Sequence, residues 1–215
     1  MIHLKTFVFN PFQVNAFVLW DETGECIIVD ASCYEEQEFQ KLFDFISSNK
    51  LTPKAVLNTH AHVDHLTGTK RVCDTYKIEM HLHASEMFLH ENAQIQGRTF
   101  GFDIQKPPKP ASYLNDGDVF KFGNSEIKMF HAPGHSPGSM LFYMENEGFL
   151  ITGDVLFSGS IGRTDLPGGD FKQLIESIQS KILVLPGETR VFPGHGPETT
   201  VQKEIKSNPF LNRSS

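Results

Sequence analysis

The chain has 215 residues, 39% hydrophobic and 21% charged, enough for one globular domain with a sizeable core. Its formal charge is -7 and no Lys/Arg cluster stands out, which argues against a nucleic-acid binder. No apolar run is long enough to span a bilayer, no basic stretch and apolar core open the chain, and three cysteines without metal-type spacing fit a reducing, cytoplasmic setting.

Residues 2–9 and 14–20 read as two strands broken by Asn10-Pro11. Asp21-Glu22-Thr23-Gly24 is a turn, and Cys26-Ile27-Ile28-Val29 is a third strand that ends at Asp30. Phe39, Leu42, Phe43 and Ile46 follow the i, i+3, i+4, i+7 pattern of a helix over 35–49. Behind Pro53, Ala55-Val56-Leu57 reads as a short buried strand.

That strand runs into Asn58-Thr59-His60-Ala61-His62-Val63-Asp64-His65, where three imidazoles and a carboxylate fall within six positions. In extended backbone, side chains two apart point to one side, so His60 and His62 converge on one metal ion. The turn that follows swings Asp64 and His65 toward a second point. A merely polar surface loop seldom gathers four ligand-type residues at such spacing.

A helix is expected over 66–76, a strand over 78–82 and a short helix over 84–92. Residues 97–117, with Pro107-Pro108-Lys109-Pro110, lack periodicity and read as a loop over the site. Strands are expected over 118–122, 126–130, 139–144 and 148–152. Asp170 is placed to cap a helix over 170–182, Arg190-Val191-Phe192 is a last short strand, and a helix is expected over 200–207. Each half runs strands first, then strand with helix. The pattern suggests an α+β, four-layer αβ/βα arrangement: two mixed sheets face to face, helices outside.

Three later places share the character of the first cluster. Pro133-Gly134-His135-Ser136-Pro137-Gly138 and Pro193-Gly194-His195-Gly196 are rigid loops, each carrying one histidine, and Thr152-Gly153-Asp154 ends an apolar strand with an acid. Two four-ligand sites that share one carboxylate need seven residues. The chain supplies His60, His62, Asp64, His65, His135, Asp154 and His195. Nitrogen and oxygen donors without thiolate suit zinc, iron or manganese. His3, His81, His83 and His90 lack ligand companions, and His131 reads as structural or as a cleft wall.

With these motifs assembled, the chain resembles the hydrolases of the metallo-β-lactamase superfamily over nearly its whole length. Within them it is most similar to the glyoxalase II group, a likeness carried by Ser160-Ile161-Gly162-Arg163-Thr164-Asp165-Leu166-Pro167-Gly168-Gly169-Asp170 and Asn208-Pro209-Phe210-Leu211. The resemblance implies two divalent ions, zinc ahead of iron or manganese. His60, His62, His135 and Asp154 would hold the first; Asp64, His65, His195 and the bridging Asp154 the second. Asp64 and Asp154 would also be catalytic. Asp30 matches an aspartate that supports the ligand loop, although Ala31-Ser32 replaces the usual Pro-Gly after it. Arg163 would bind a substrate carboxylate or brace its loop against Asp165, the brace being preferred.

The reaction implied is hydrolysis of a small-molecule thioester such as hydroxyacyl-glutathione, with no nucleic-acid or membrane partner. Full-length glyoxalase II enzymes carry a C-terminal helical domain. This sequence runs twenty residues past His195, which widens the expected substrate beyond the glutathione thioester. A mono-iron persulfide dioxygenase, using the residues at His60, His135 and Asp154, is the alternative. A nuclease or a non-catalytic binding module fits less well.

Overall fold

The computed structural model describes residues 1–211. The chain forms two compact units, Met1–Leu114 with Lys121–Glu126, and Asn115–Phe120 with the residues from Ile127 onward.

The first unit holds β1 (His3–Phe9), β2 (Val14–Trp20), β3 (Glu25–Val29), α1 (Glu36–Ser48), β4 (Thr52–Leu57), α2 (Val63–Leu66), α3 (Thr69–Tyr76), β5 (Glu79–His83), α4 (Met87–Glu91), α5 (Ala93–Thr99) and β6 (Ser112–Leu114). Its six strands pair in sequence order. β1–β2 and β2–β3 are antiparallel, whereas β3–β4, β4–β5 and β5–β6 are parallel. Parallel neighbours need crossovers, and α1, α2–α3 and α4–α5 supply them. Phe39, Leu42 and Ile46 of α1 join a core with Phe9, Val18, Ile28, Val56, Met80 and Leu82. Glu35 and Glu38 close a capping box at the start of α1.

The second sheet contains β7 (Val119–Phe122), β8 (Ser125–His131), β9 (Met140–Met144), β10 (Phe149–Gly153), β13 (Arg190–Pro193) and β14 (Thr199–Thr200), ordered β14-β13-β10-β9-β8-β7. A small β11 (Leu156–Phe157)–β12 (Ser160–Ile161) ladder stands apart; α6 (Phe171–Ser177) and α7 (Val201–Ser207) complete the unit. β10 runs parallel to β13 and antiparallel to β9. Every residue of β9 and β10 is buried. Leu174, Ile178 and Ile182 pack with Leu141, Leu150, Val191 and Val201 in this unit's core.

Two mixed sheets with helices therefore stand as the sequence suggests. Several boundaries differ. Pro53 lies inside β4, not before it, because the β3–β4 register shifts there and the bulge needs no N–H from proline. The helix expected over 66–76 is two helices. Gly68 separates them: its N–H donates to Ala31 O at 2.9 Å, and a Cβ there would lie 2.7 Å from Cys33 O. The helix expected over 84–92 opens as a 3-10 turn over Ala84–Glu86, and the one over 170–182 ends as a π turn over Ile178–Ile182. The stretch read as aperiodic contains the end of α5 and all of β6. Gly97 hides the helix signal; its lack of Cβ lets α5 approach Phe102 O and Val63.

Candidate metal centre

The first unit gathers four of the expected ligands at the carboxyl ends of β3 and β4, where adjacent parallel strands leave a crevice for a site. Asp30 follows β3 and Asn58 follows β4; Val29 pairs with Leu57, so the two residues stand side by side. Asp30 is fully buried and left-handed, with φ +48°. Its Oδ1 accepts from Thr59 N at 2.8 Å, and its Oδ2 accepts from Thr59 Oγ1 at 2.6 Å. Oδ2 also faces His65 Nδ1 at 2.9 Å. Asn58 Nδ2 completes the cluster, 3.4 Å from Asp30 Oδ1 and 3.2 Å from His65 O.

His60, His62 and His65 are all buried. The His60 ring lies 4.8 Å from that of His62 and 4.2 Å from that of His65. The ligand atoms of His60 and His62 approach within 4.8 Å, as do those of Asp64 and His65. His62 precedes α2 in extended backbone, so Asp64 and His65 are projected from the first turn of a helix rather than from a loop. Thr59 Oγ1 is 3.0 Å from His60 Nδ1. Oxygens thus hold the Nδ1 side of His60 and of His65. That is how ligating imidazoles are usually oriented, with Nε2 left to face the ion.

Residues outside the expected ligand set hold this loop. Glu86, fully buried, accepts from Ala61 N at 2.7 Å. Asn10 Nδ2 donates to Asp64 O at 2.8 Å and to Ser32 O at 3.1 Å. Thr67 Oγ1 donates to Ser32 O at 2.7 Å. Sequence reasoning missed Glu86 and Asn10. Glu86 stands three positions past the His81-Leu82-His83 strand end, and the feature that marks it, full burial of a carboxylate, is visible only in the folded chain.

The second unit brings together the other three. Asp154 follows β10 and His195 follows the parallel β13, with Gly194 N donating to Gly153 O at 2.7 Å. His135 sits in the loop between β8 and β9. Asp154 Oδ2 lies 3.6 Å from His135 Nε2 and 3.5 Å from His195 Nε2. Two ring nitrogens therefore converge on one carboxylate oxygen at separations too long for hydrogen bonds. His135 Nδ1 is 2.8 Å from Arg163 O, so this imidazole too is held by an oxygen on its far side. Gly134, with φ +132°, has no room for a Cβ against Leu174 of α6. Asp170, the N-cap of α6, donates its N–H to Gly134 O at 2.8 Å. Gly162 lies so close to Asp154 O that a Cβ would overlap it, and that Cβ would stand 2.9 Å from His135 Nδ1.

Arg163 pairs with Asp165 through two bonds of 2.7 and 2.6 Å on an exposed surface. The guanidinium pulls the Asp165 carboxyl down to about 2. His131 Nε2 meets Pro137 O at 2.9 Å, His90 Nε2 meets Pro108 O at 2.9 Å, and His81 Nδ1 meets Ser112 Oγ at 2.8 Å.

Each unit thus presents imidazoles and carboxylates and no thiolate. Cys26, Cys33 and Cys73 are free and buried in the first unit's core, and burial pushes the thiols of Cys26 and Cys73 up to about 12. Such donors fit divalent ions of the zinc, iron or manganese kind.

Comparison with known proteins gives the same picture. The Metallo-beta-lactamase superfamily pattern matches residues 9–195. A probable metallo-hydrolase of Bacillus subtilis (strain 168), YqgX, is 40% identical over 94% of each chain. The hydroxyacylglutathione hydrolase GloC of Haemophilus influenzae is 34% identical over 96% of each. Among solved structures, the BLEG-1 B3 metallo-beta-lactamase superposes with a TM-score of 0.89 at 39% identity, covering 98% of this chain and all of that one. TTHA1623 in a di-iron-bound form gives 0.87 at 39% identity, covering 96% of this chain and all of that one. ETHE1 from Myxococcus xanthus, at 21% identity and a TM-score of 0.81 over 99% of this chain and 86% of that one, shares the fold.

Proposed function

The chain belongs to the metallo-β-lactamase superfamily of metal-dependent hydrolases, and from that premise we propose that it hydrolyses thioesters in the manner of glyoxalase II, acting on hydroxyacyl-glutathione or a related thioester. The observation that carries the reading is the orientation of the imidazoles. His60, His65 and His135 each have Nδ1 against an oxygen, which directs Nε2 to a cation. The full-length likeness to GloC supports the thioester.

In this reading His60, His62, His135 and Asp154 would hold one divalent ion, and Asp64, His65, His195 and the shared Asp154 would hold a second. Zinc is the first choice, and the di-iron form of TTHA1623 supports iron as an occupant. Ions held there would supply Lewis acidity to polarise a carbonyl and to acidify water near neutral pH. The chain's own residues do the rest. Asp64, whose side chain is 15% exposed, orients the attacking water and takes its proton on a carboxylate oxygen. Asp154, nearly buried, would serve as the carboxylate shared by both ligand sets. Asp30 fixes the His65 ring and the Thr59 backbone. A thiolate is a good leaving group that needs little help from a general acid, which suits a thioester as the substrate. Arg163, bound to Asp165, braces its loop and leaves its carbonyl to His135.

Metal analysis of the purified protein, run beside three assays, tests this. The expected result is two metal equivalents per chain and hydrolysis of S-lactoylglutathione. Oxygen uptake with glutathione persulfide, or turnover of a β-lactam, without thioester hydrolysis would refute it.

A further inference from the structure

The turn between β1 and β2 is pinned to the helix that carries Asp64 and His65. Asn10 and Gln13 are left-handed, with φ +53° and +57°, and Gln13 N donates to Asn10 O at 3.0 Å. The Asn10 side chain is buried. Its Nδ2 donates to Asp64 O at 2.8 Å, and its Oδ1 accepts from Phe12 N at 2.9 Å. Phe12 is thus two hydrogen bonds from the backbone of Asp64.

The Phe12 ring meets Phe102 at 5.2 Å and stands edge-on to Phe100 at 6.2 Å. Phe102 belongs to the core, where Tyr34 packs against it edge-on at 5.0 Å. Phe100 follows α5, and α5 rests on α2 through Gly97, where a Cβ would lie 3.4 Å from Val63 Cγ2. The core claims Phe102 but leaves Phe12 and Phe100 each 44% exposed. Two adjoining, partly exposed rings, backed by the core, stand beside the ligand helix.

Their size limits what they take. A phenylalanine offers roughly 150–250 Å², so the exposed parts together present about 200 Å². A lasting protein interface needs about 800 Å² from each partner. A second copy of the chain is therefore a poor occupant, and one small apolar group is a good one. We propose that Phe12 and Phe100 form a shelf for the acyl end of the substrate, selecting thioesters whose acyl group carries an aromatic or branched apolar substituent. This rests on the thioesterase reading and names its substrate class.

The test compares S-mandeloylglutathione with S-lactoylglutathione on the zinc-loaded protein. An aromatic substituent stacked on two ring edges is worth about tenfold in kcat/KM, expressed mainly in KM. The variant Phe12→Ser/Phe100→Ser is expected to bring the ratio of the two substrates close to one, with zinc content and melting temperature near those of the parent. Phe12→Leu/Phe100→Leu, which keeps an apolar surface, retains part of the preference. An unchanged ratio in the serine variant, or an equal fall for both substrates, overturns the shelf. If neither thioester turns over, the thioesterase reading fails by itself. Calorimetry then decides the shelf separately, with S-(2-phenylethyl)glutathione against S-ethylglutathione as non-hydrolysable probes. Tighter binding of the aromatic probe, lost in the serine variant, upholds it; equal binding overturns it.

Discussion

Asp30 touches three strong donors of the ligand loop, and its removal separates folding from metal binding. In Asp30→Ala, Thr59 N, Thr59 Oγ1 and His65 Nδ1 all lose their acceptor in a fully buried place, since His60 Nδ1, 3.0 Å from Thr59 Oγ1, is itself a donor in the tautomer that leaves Nε2 to the ion. Each stranded buried donor costs about 1–3 kcal/mol, so the variant should lose about 3 kcal/mol. For a chain of this size that is a fall in Tm of about 6–12 °C in the metal-free protein. Asp30→Asn keeps the volume and one acceptor. Its oxygen can serve Thr59 N, but its NH2 then faces His65 Nδ1, which must give up its proton to Nε2. The nitrogen meant for the metal would carry hydrogen. Zinc affinity should fall about 10–100-fold, with a smaller change in Tm than in the alanine variant. Zinc titration against a competing chelator, beside thermal melting, reads both effects. An Asp30→Asn protein that binds zinc as tightly as the parent would refute the orienting role.

Gly162→Ala should lower zinc affinity at least tenfold while far-UV circular dichroism is retained. The new Cβ must displace either Asp154 or His135, and overpacking of this kind costs about 1–3 kcal/mol. Glu204 is fully buried and accepts from Thr199 Oγ1, Gly159 N and Asn208 Nδ2, so Glu204→Ala should cost about 3 kcal/mol in thermal melts, with Glu204→Gln intermediate; parental stability in both would count against the clamp. Arg163→Ala should keep zinc content, because His135 is held by the Arg163 carbonyl rather than by its side chain. The Asp165 carboxyl is depressed to about 2 by Arg163, so the pair's contribution is present above the ordinary carboxylate pKa and is lost as pH falls through about 2. Melting curves of parent and Arg163→Ala should therefore keep a constant offset between pH 5 and pH 8. The native protein should show no thiol titratable by a disulfide reagent at pH 8, and three after denaturation, since burial raises the Cys26 and Cys73 thiols to about 12; a fast-reacting native thiol would contradict that burial.

Local pattern alone located five of the six strands in each sheet, missing β6 and β14, together with helix α1 and the motifs that carry the candidate ligands. Strand ends and Pro-Gly loops announce themselves within a few residues, and a cluster such as His60-Ala61-His62-Val63-Asp64-His65 has little use outside a metal site. Local pattern did not reveal that α2 begins inside the cluster, that Gly97 lies in a helix, or that Pro53 sits at a bulge. Backbone contacts between distant segments set those boundaries. The supports of the site were equally silent. Asn10 reaches Asp64 across 54 positions, Asp30 reaches His65 across 35, and Glu86 reaches Ala61 across 25. Arg163 shows the division within one residue. Its charge foretold a partner carboxylate, which Asp165 supplies, but only the folded chain assigns its carbonyl to His135. Periodicity and spacing record what a residue does to its near neighbours. Which buried donor meets which acceptor is decided when packing brings remote segments together, because only then does an unmet partner cost free energy.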